Sequence, residues 1–472
     1  MNVLLELSVI PLIAALFSAA VRSRIVVRRT VAVLMWAQTA LALYLLLPVF
    51  NGARLAMPSA DFLIDKTAAS FIILTVIVVS ASVTHASVLY GQERQTHDSR
   101  MFFAFTSIFM VAMIAVFTCN NLAVMWICIE ASTLFSAPLV YLERTKTAVE
   151  ATWKYLIICS VGIAFALLGT VMIFAAGQST ANSEGSLQIS QLVLNAPKLD
   201  SSLLRLGFVF CFIGYGTKAG VFPLHNWLPD AYSEAPSPAC AIFSGALINC
   251  ALFGIFRISQ IVLASKNGHI GFEMMAIVVA GAISALAASL FLINQHNLKR
   301  MWAYSSIENV GIMLVAIGIG SGSLFLLQAI NHSVAKVAMF LQSGNVIRVT
   351  GSKRLSNLHG LISFAPEQAL LLALTTCAVM GVPPFGTFCS ELSVLVSSAD
   401  ARLWVVAGML IVSLTVSFIA VCLHVGRIVC GTPRPDYRRL PAFTSCAMPL
   451  LLLASSLALG FLFNSHVWNL LK

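Results

Sequence analysis

Long apolar runs parted by short polar breaks repeat along the whole chain. Ala104–Cys119, Leu122–Leu142, Tyr155–Ala176, Ile242–Ala264 and Met274–Ile293 each approach the length a helix needs to cross a bilayer, about 20 residues at 1.5 Å rise. The same pattern continues to both ends and predicts fourteen spans, near 3–21, 30–50, 62–90, 101–119, 121–142, 153–177, 201–222, 238–264, 272–294, 300–320, 324–347, 366–398, 403–428 and 444–465. The expected fold class is therefore an all-α polytopic membrane protein. The first segment reads as a spanning helix rather than a signal peptide, because its basic residues follow the apolar stretch instead of preceding it.

Composition supports that class. Of the 472 residues, 59% are hydrophobic and 10% charged, against about 25% charged in soluble domains. A net charge of +10 suggests nucleic-acid binding, but the basic residues sit in short loops and form no continuous patch. They instead divide by side. Of 28 lysines and arginines, eighteen fall on one side of the fourteen-span pattern, six on the other (Arg54, Lys198, Arg205, Lys266, Arg402, Lys472) and four inside spans (Lys66, Lys218, Arg257, Lys336). The positive-inside rule then places both termini outside. The eleven cysteines stand singly, with no CxxC pair and no spacing suited to zinc or an iron–sulfur cluster. They read as small apolar fillers, so no cofactor or metal is expected in this chain.

Two spans are interrupted. The seventh runs into GYGTKAGVFPLHNWLPDAYSEAPSP (214–238) and the twelfth contains MGVPPFGTFCSEL (380–392). Proline removes a backbone donor and clashes with the preceding turn, and irregular backbone at membrane depth survives only where protein or a water-filled cavity satisfies it. Each break falls in the fourth member of a set of five spans, spans 4–8 and spans 9–13. Five is odd, so the second set runs in the opposite sense, an inverted repeat of the transporter type. The expected organisation is a three-helix segment over 1–100, repeats over 101–264 and 265–430, and a C-terminal helix over 431–472.

Ionisable groups inside spans cost about 2.5–3.5 kcal/mol each on insertion scales and are functional candidates by default. Glu130 lies mid-way along the fifth span, Lys218 just before the first break, Lys336 in the eleventh span and Glu391 just after the second break. Burial pushes lysine and carboxylate pKa values in opposite directions, which suits a pair that exchanges a proton. Static ion pairs between helices are the competing reading. His332 precedes Lys336 by four residues and shares its helix face; it is either a proton shuttle or a packing residue. His225 follows Lys218 by seven residues and is expected to extend a half-channel or cap the broken helix. Glu308, in AYSSIENVG, is expected near a membrane interface. Arg257 reads as a helix anchor, Lys299–Arg300 as a positive-inside anchor, and Asp230 and Glu234 as water-binding or helix-capping groups. No nucleophile–base pair stands out, which argues against a stand-alone enzyme.

Several stretches resemble a known family: CIEASTLFSAPLVYLERTKTAVEATWKYLIICSVGIAFALLGT, the GYGTKAG…SEAPSPACAIFSGAL block, HNLKRMWAYSSIENVGIM, NHSVAKVAMFLQSGNVI and MGVPPFGTFCSEL. They are similar to the antiporter-like subunits of respiratory complex I, group 4 membrane-bound hydrogenases and multisubunit cation/proton antiporters. EATWKYLIICSVGIA and the FPLHNWLPDAYSEAPSP block resemble component F of hydrogenase-4-type complexes. The resemblance covers about residues 100–400. It implies a fourteen-helix core with broken helices 7 and 12, a Glu130–Lys218 couple, Lys336 with His332 on the central axis, and Glu391 at the second broken helix; with His225 and Glu308 from the reading of the residues above, these make up the expected proton-transfer set. It also implies partner membrane subunits, and a peripheral arm that holds iron–sulfur clusters and the catalytic centre. The chain departs from the pattern at Asn249, where a bridging lysine is usual, at Asn309, where histidine is frequent, and at His296, where aspartate is common. No long lateral C-terminal helix is expected, as in the shorter members. Three functions stay open: a proton-translocating subunit of a redox-driven complex in a prokaryotic cytoplasmic membrane, a subunit of a sodium or potassium/proton antiporter, and a membrane scaffold with a decayed relay.

Overall fold

The computed structural model describes residues 3–52, 55–56, 59–92, 99–178, 185–266, 268–434 and 437–462. Arg54, Arg94 and Lys472 of the charge pattern lie outside them. The chain begins with helices α1 (Val3–Ala20), α2 (Arg24–Phe50), α3 (Lys66–Gln92), α4 (Ser99–Thr118), α5 (Leu122–Val140) and α6 (Lys146–Gln178). A short α7 (Ile189–Leu194) leads to α8 (Ser201–Ala219), which ends at the first break; α9 (Trp227–Glu234) and α10 (Ser237–Ile242) resume beyond it. A π-helical segment, Phe243–Leu247, passes into α11 (Ile248–Ser265). Then come α12 (Phe272–Ile293), α13 (Leu298–Gly318), α14 (Gly322–Thr350), short α15 (Leu361–Phe364), α16 (Pro366–Val379), α17 (Gly386–Asp400) beyond the second break, α18 (Trp404–Val429) and α19 (Ala442–Leu462). The only strand pair among the described residues is β1 (Leu55–Ala56) with β2 (Leu63–Ile64).

Eleven of the described helices are long and apolar enough to cross a membrane. The remaining expected spans coincide with α8, α13, and the pair α16 and α17 on either side of the second break. The third span begins at Lys66 rather than near 62, because Leu63–Ile64 is extended in the strand pair and the Asp65 carboxylate accepts from Ala68 N at 2.8 Å. Helix α6 starts earlier than expected, at Lys146, where the Thr145 hydroxyl accepts from Ala148 N at 3.1 Å.

Tight seams join the helices. A Cβ on Gly169 of α6 would lie 2.6 Å from the Cys211 backbone nitrogen of α8, and one on Gly281 of α12 would lie 2.6 Å from the Gly311 carbonyl of α13. Glycine lets these backbones approach, as small residues do wherever lipid offers no hydrophobic drive for association.

Polar contacts gather at two opposite ends. At one end Asn121 donates to Asp61 at 2.8 Å, Arg257 pairs with Asp65 at 2.7 Å and Arg205 with Glu273 at 3.1 Å. At the other end Lys154 and Arg300 both pair with Asp230, and Lys353 with Glu234. Below, these are the Asp65 end and the Asp230 end.

Two local devices recur at opposite ends. Asn121 caps α5, accepting from Ala123 N and Val124 N, and forms an antiparallel bridge with Gln188, beyond α6. Asn297 caps α13, accepting from Lys299 N and Arg300 N, and bridges Arg354, beyond α14.

Candidate functional site

The first centre lies where α5, α6 and α8 meet. Lys218 is in the last turn of α8, wholly buried. The helix stops there because Gly220, at φ +80°, turns the chain into the left-handed region that glycine adopts freely. The Lys218 ammonium donates to Thr133 Oγ1 and to the Tyr155 hydroxyl, each at 2.7 Å, and lies 4.8 Å from the Tyr155 ring centre. Thr133 Oγ1 donates to Glu130 Oε2 at 3.4 Å, and Ser160 donates to Glu130 Oε1 at 2.7 Å. Lysine and glutamate are thus joined through a hydroxyl. Glu130 is half-buried, unlike its partner.

The second centre gathers α13, α14 and α17. Lys336 is buried in α14 and donates to the Trp302 carbonyl of α13 at 3.2 Å, its ammonium 5.7 Å from the Trp302 ring centre. Glu308 and Glu391 are the carboxylates whose charge reaches Lys336. Glu308 is only 1% exposed and accepts from Ser413 at 3.0 Å. That corrects the expectation of an interfacial residue: α13 is buried around most of its circumference by its neighbours, so distance from a helix end does not set exposure. Glu391 is buried beside the second break, where a Cβ on Gly381 would collide with its carboxylate.

Between the centres runs a band of uncharged polar groups. Asn249 donates to Gly245 O at 3.0 Å and to Ser333 Oγ at 2.9 Å. Ser244, in the π-helical segment, lies 2.9 Å from the Ser306 hydroxyl. Asn309 accepts from Gln328 Nε2 at 2.8 Å. His332 is buried, and neither ring nitrogen has a hydrogen-bond partner among the described residues. π-helical turns inside α-helices often mark functional sites; here the wide turn turns Ser244 and Gly245 toward this band.

Helix α9 ties the centres together, which sequence reasoning missed. Trp227 Nε1 donates to Thr217 O at 2.8 Å, and its ring centre lies 4.7 Å from that of Tyr155. Asp230 and Glu234, expected to bind water or cap helices, form ion pairs instead: Asp230 with Arg300 at 2.7 Å and Lys154 at 3.3 Å, Glu234 with Lys353 at 2.9 Å. Lys299, expected as a membrane-surface anchor, is buried and donates to Ala235 O at 2.6 Å. Burial alone would raise the Glu234 pKa, but the Lys353 hydrogen bond and charge, Thr147 and Lys299 hold it below the ordinary value. Among the described residues His225 forms no ion pair, and the N-cap position of α9 is held by Asn226. Its ring packs on Phe222, Phe291 and Tyr304 with centres 5.3, 5.7 and 6.1 Å away. His85, which sequence reasoning also missed, is buried in α3 facing Asn345 and Arg348; nothing in a lone histidine of an apolar segment marks it.

Among the described residues no group of three or more His, Cys, Asp or Glu side chains could hold a metal ion.

Buried lysines, each set against carboxylates in a bundle of membrane-length helices with two breaks, define an ion-handling, multi-pass membrane protein. The chain belongs to the NADH:quinone oxidoreductase/Mrp antiporter transmembrane family, whose model matches residues 119–418. A hydrogenase-4 component F homolog of Methylacidiphilum infernorum is 36% identical over 395 residues, 80% of this chain and 81% of that protein. The fold is that of a chain in the membrane-bound sulfane sulfur reductase, an archaeal respiratory membrane complex, with TM-score 0.87 at 22% identity over 100% of this chain and 96% of that one. A chain of the Mrp complex of Dietzia sp. DQ12-45-1b gives TM-score 0.86 at 19% identity, again over 100% and 96%.

Proposed function

We propose that this chain is a proton-translocating membrane subunit of a redox-driven complex of the membrane-bound hydrogenase or complex I-like kind. The observation that carries the reading is the Lys218–Thr133–Glu130 connection. A Lys218 ammonium hands its proton to Thr133 Oγ1 as the threonine's own proton passes to Glu130. Both ends finish neutral, and the hydroxyl is restored by its reorientation. Lys336, with Glu308 and Glu391, repeats the chemistry in the second centre, with His332 and His225 as further proton carriers.

The chain organisation follows from the same reading: repeats over 101–264 and 265–430, inverted, between a 1–100 segment and a 431–472 helix. The matching Asn121–Gln188 and Asn297–Arg354 devices, at opposite ends, support it. The excess of basic residues at the Asp230 end supports placing that end in the cytoplasm of a prokaryotic cell, with both termini outside. The partners are other membrane subunits and a peripheral arm that carries the iron–sulfur clusters and catalytic centre. A scaffold role is the second reading, favoured by Asn249 and Asn309, which are held in fixed hydrogen bonds and do not titrate.

Inverted membrane vesicles carrying the complex test the choice. With Lys218→Asn, proton uptake collapses while electron transfer and assembly persist. Uptake that is unchanged in an intact complex removes the relay reading and leaves the scaffold.

A further inference from the structure

The polar band stops short of the Asp65 end, and an aromatic cluster fills the gap. Phe71 of α3, Phe117 of α4, Phe253 of α11 and Phe325 of α14 are all fully buried. Phe71 touches the other three, with ring centres 5.2, 5.8 and 5.4 Å away, and Phe117 lies 5.2 Å from Phe253. Phe256 extends the cluster to within 5.4 Å of Phe325. The four helices that supply the rings also flank or carry the polar band, through Asn249 on α11 and Ser333 and His332 on α14.

Position along α11 fixes the order. Asn249, Phe253 and Arg257 are four residues apart and share one face. Moving from the band toward the Asp65 end, a proton meets a polar amide, then an aromatic ring, then a guanidinium. Arg257 is 6% exposed; its guanidinium lies 4.6 Å from the Phe253 ring centre and pairs with Asp65 Oδ2 at 2.7 Å. Asp65 is itself held at the start of α3 by Ala68 N, so the pair locks α11 to α3 above the rings.

We propose that Phe71, Phe117, Phe253 and Phe325, closed over by the Arg257–Asp65 pair, form the proton-tight seal between this chain's polar band and the aqueous phase at the Asp65 end. Apolar constrictions block conduction by excluding water, and a fixed arginine repels cations. Both barriers are present in series. Arg257 is therefore more than a helix anchor: its charge stands where a hydrated proton would leave the bundle. The proposal rests on the proton-translocation reading, since a seal matters only if the band behind it carries protons.

The test is the decay of an imposed pH gradient across inverted vesicles carrying the intact resting complex, with K+ leak measured in parallel. Apolar cavities stay dry, whereas polar ones take up water. Phe253→Leu therefore keeps the native decay rate. Phe253→Asn speeds proton decay about tenfold, the equivalent of ~1.4 kcal/mol off the barrier, with no rise in K+ leak. Arg257→Gln, at the rim, speeds it in the same direction and carries the test if Phe253→Asn does not assemble. Adding Lys336→Gln to a leaky variant slows the decay again. Native-rate decay in both Phe253→Asn and Arg257→Gln overturns the seal, as does a leak shared by K+. If instead uptake during turnover survives Lys218→Asn, the translocation reading fails, and the decay rates still report on the seal by themselves.

Discussion

Lys218 and Glu130 do not touch: Thr133 Oγ1 stands between them, 2.7 Å from the ammonium and 3.4 Å from the carboxylate. A directly paired lysine and glutamate hold each other's charge, whereas a hydroxyl between them accepts from one and donates to the other. Proton transfer then needs only small movements of the threonine side chain.

Thr133→Val keeps the shape and removes the hydroxyl. That hydroxyl accepts from Lys218 and donates to Glu130, so the transfer step loses its path, and the unmade bond of the buried ammonium costs about 1–3 kcal/mol of stability besides. Proton uptake in vesicles should fall accordingly, with normal assembly on native gels. Thr133→Ser should retain most of the uptake.

Gly381→Ala tests the second break. Gly381 has φ +61° and a Cβ there would strike the Glu391 carboxylate. The left-handed backbone alone costs a non-glycine residue about 1–2 kcal/mol. The variant should melt at lower temperature in detergent and pump less than native, whereas Gly408→Ala, whose Cβ would meet nothing within 4 Å, should leave both unchanged.

Acidification should loosen α9. The Glu234 pKa is held below its ordinary value of 4.5. Its contribution to stability is therefore fully present above that value and is lost as pH falls through the lower, folded-state value. Melting temperature followed from pH 7 downward should drop for the native protein below about pH 4.5 and drop less for Glu234→Gln, which starts lower. Parallel curves for the two would show that the Lys353 pair does not hold this helix.

Both asparagine caps should matter, Asn121 the more. Asn121→Ala and Asn297→Ala each remove a side chain that accepts from two backbone N–H groups, a loss of about 1 kcal/mol per cap. Both variants should melt lower, Asn121→Ala by more, because it also loses the bond to Asp61. A cap that could be removed at no cost would mean its helix start is fixed by packing alone.

Much of this architecture could be read from the chain. Apolar length and the Gly/Pro clusters at 214–238 and 380–392 located the helices and both breaks, because membrane spans and their interruptions follow from local composition. Glu130, Lys218, Lys336 and Glu391 stood out for the same reason: a charge inside an apolar run is visible without knowing its partners. What stayed hidden depends on neighbours far apart in sequence. Thr133 is an ordinary helix threonine until Lys218, 85 positions away, is seen to reach it. Asp230 and Arg300 are 70 positions apart, and each alone reads as a surface charge. Glu308 looked interfacial because its place along α13 was legible and the packing around that helix was not.

The most direct test of proton translocation through this chain is the number of protons taken up per electron by the purified complex in liposomes, native against Lys336→Gln. Lys336 lies in the interior, touching Trp302 O, so its loss removes the second centre without altering the exposed surface of the chain. The account predicts a lower ratio at an electron-transfer rate that remains measurable. An unchanged ratio in a fully assembled complex would contradict it.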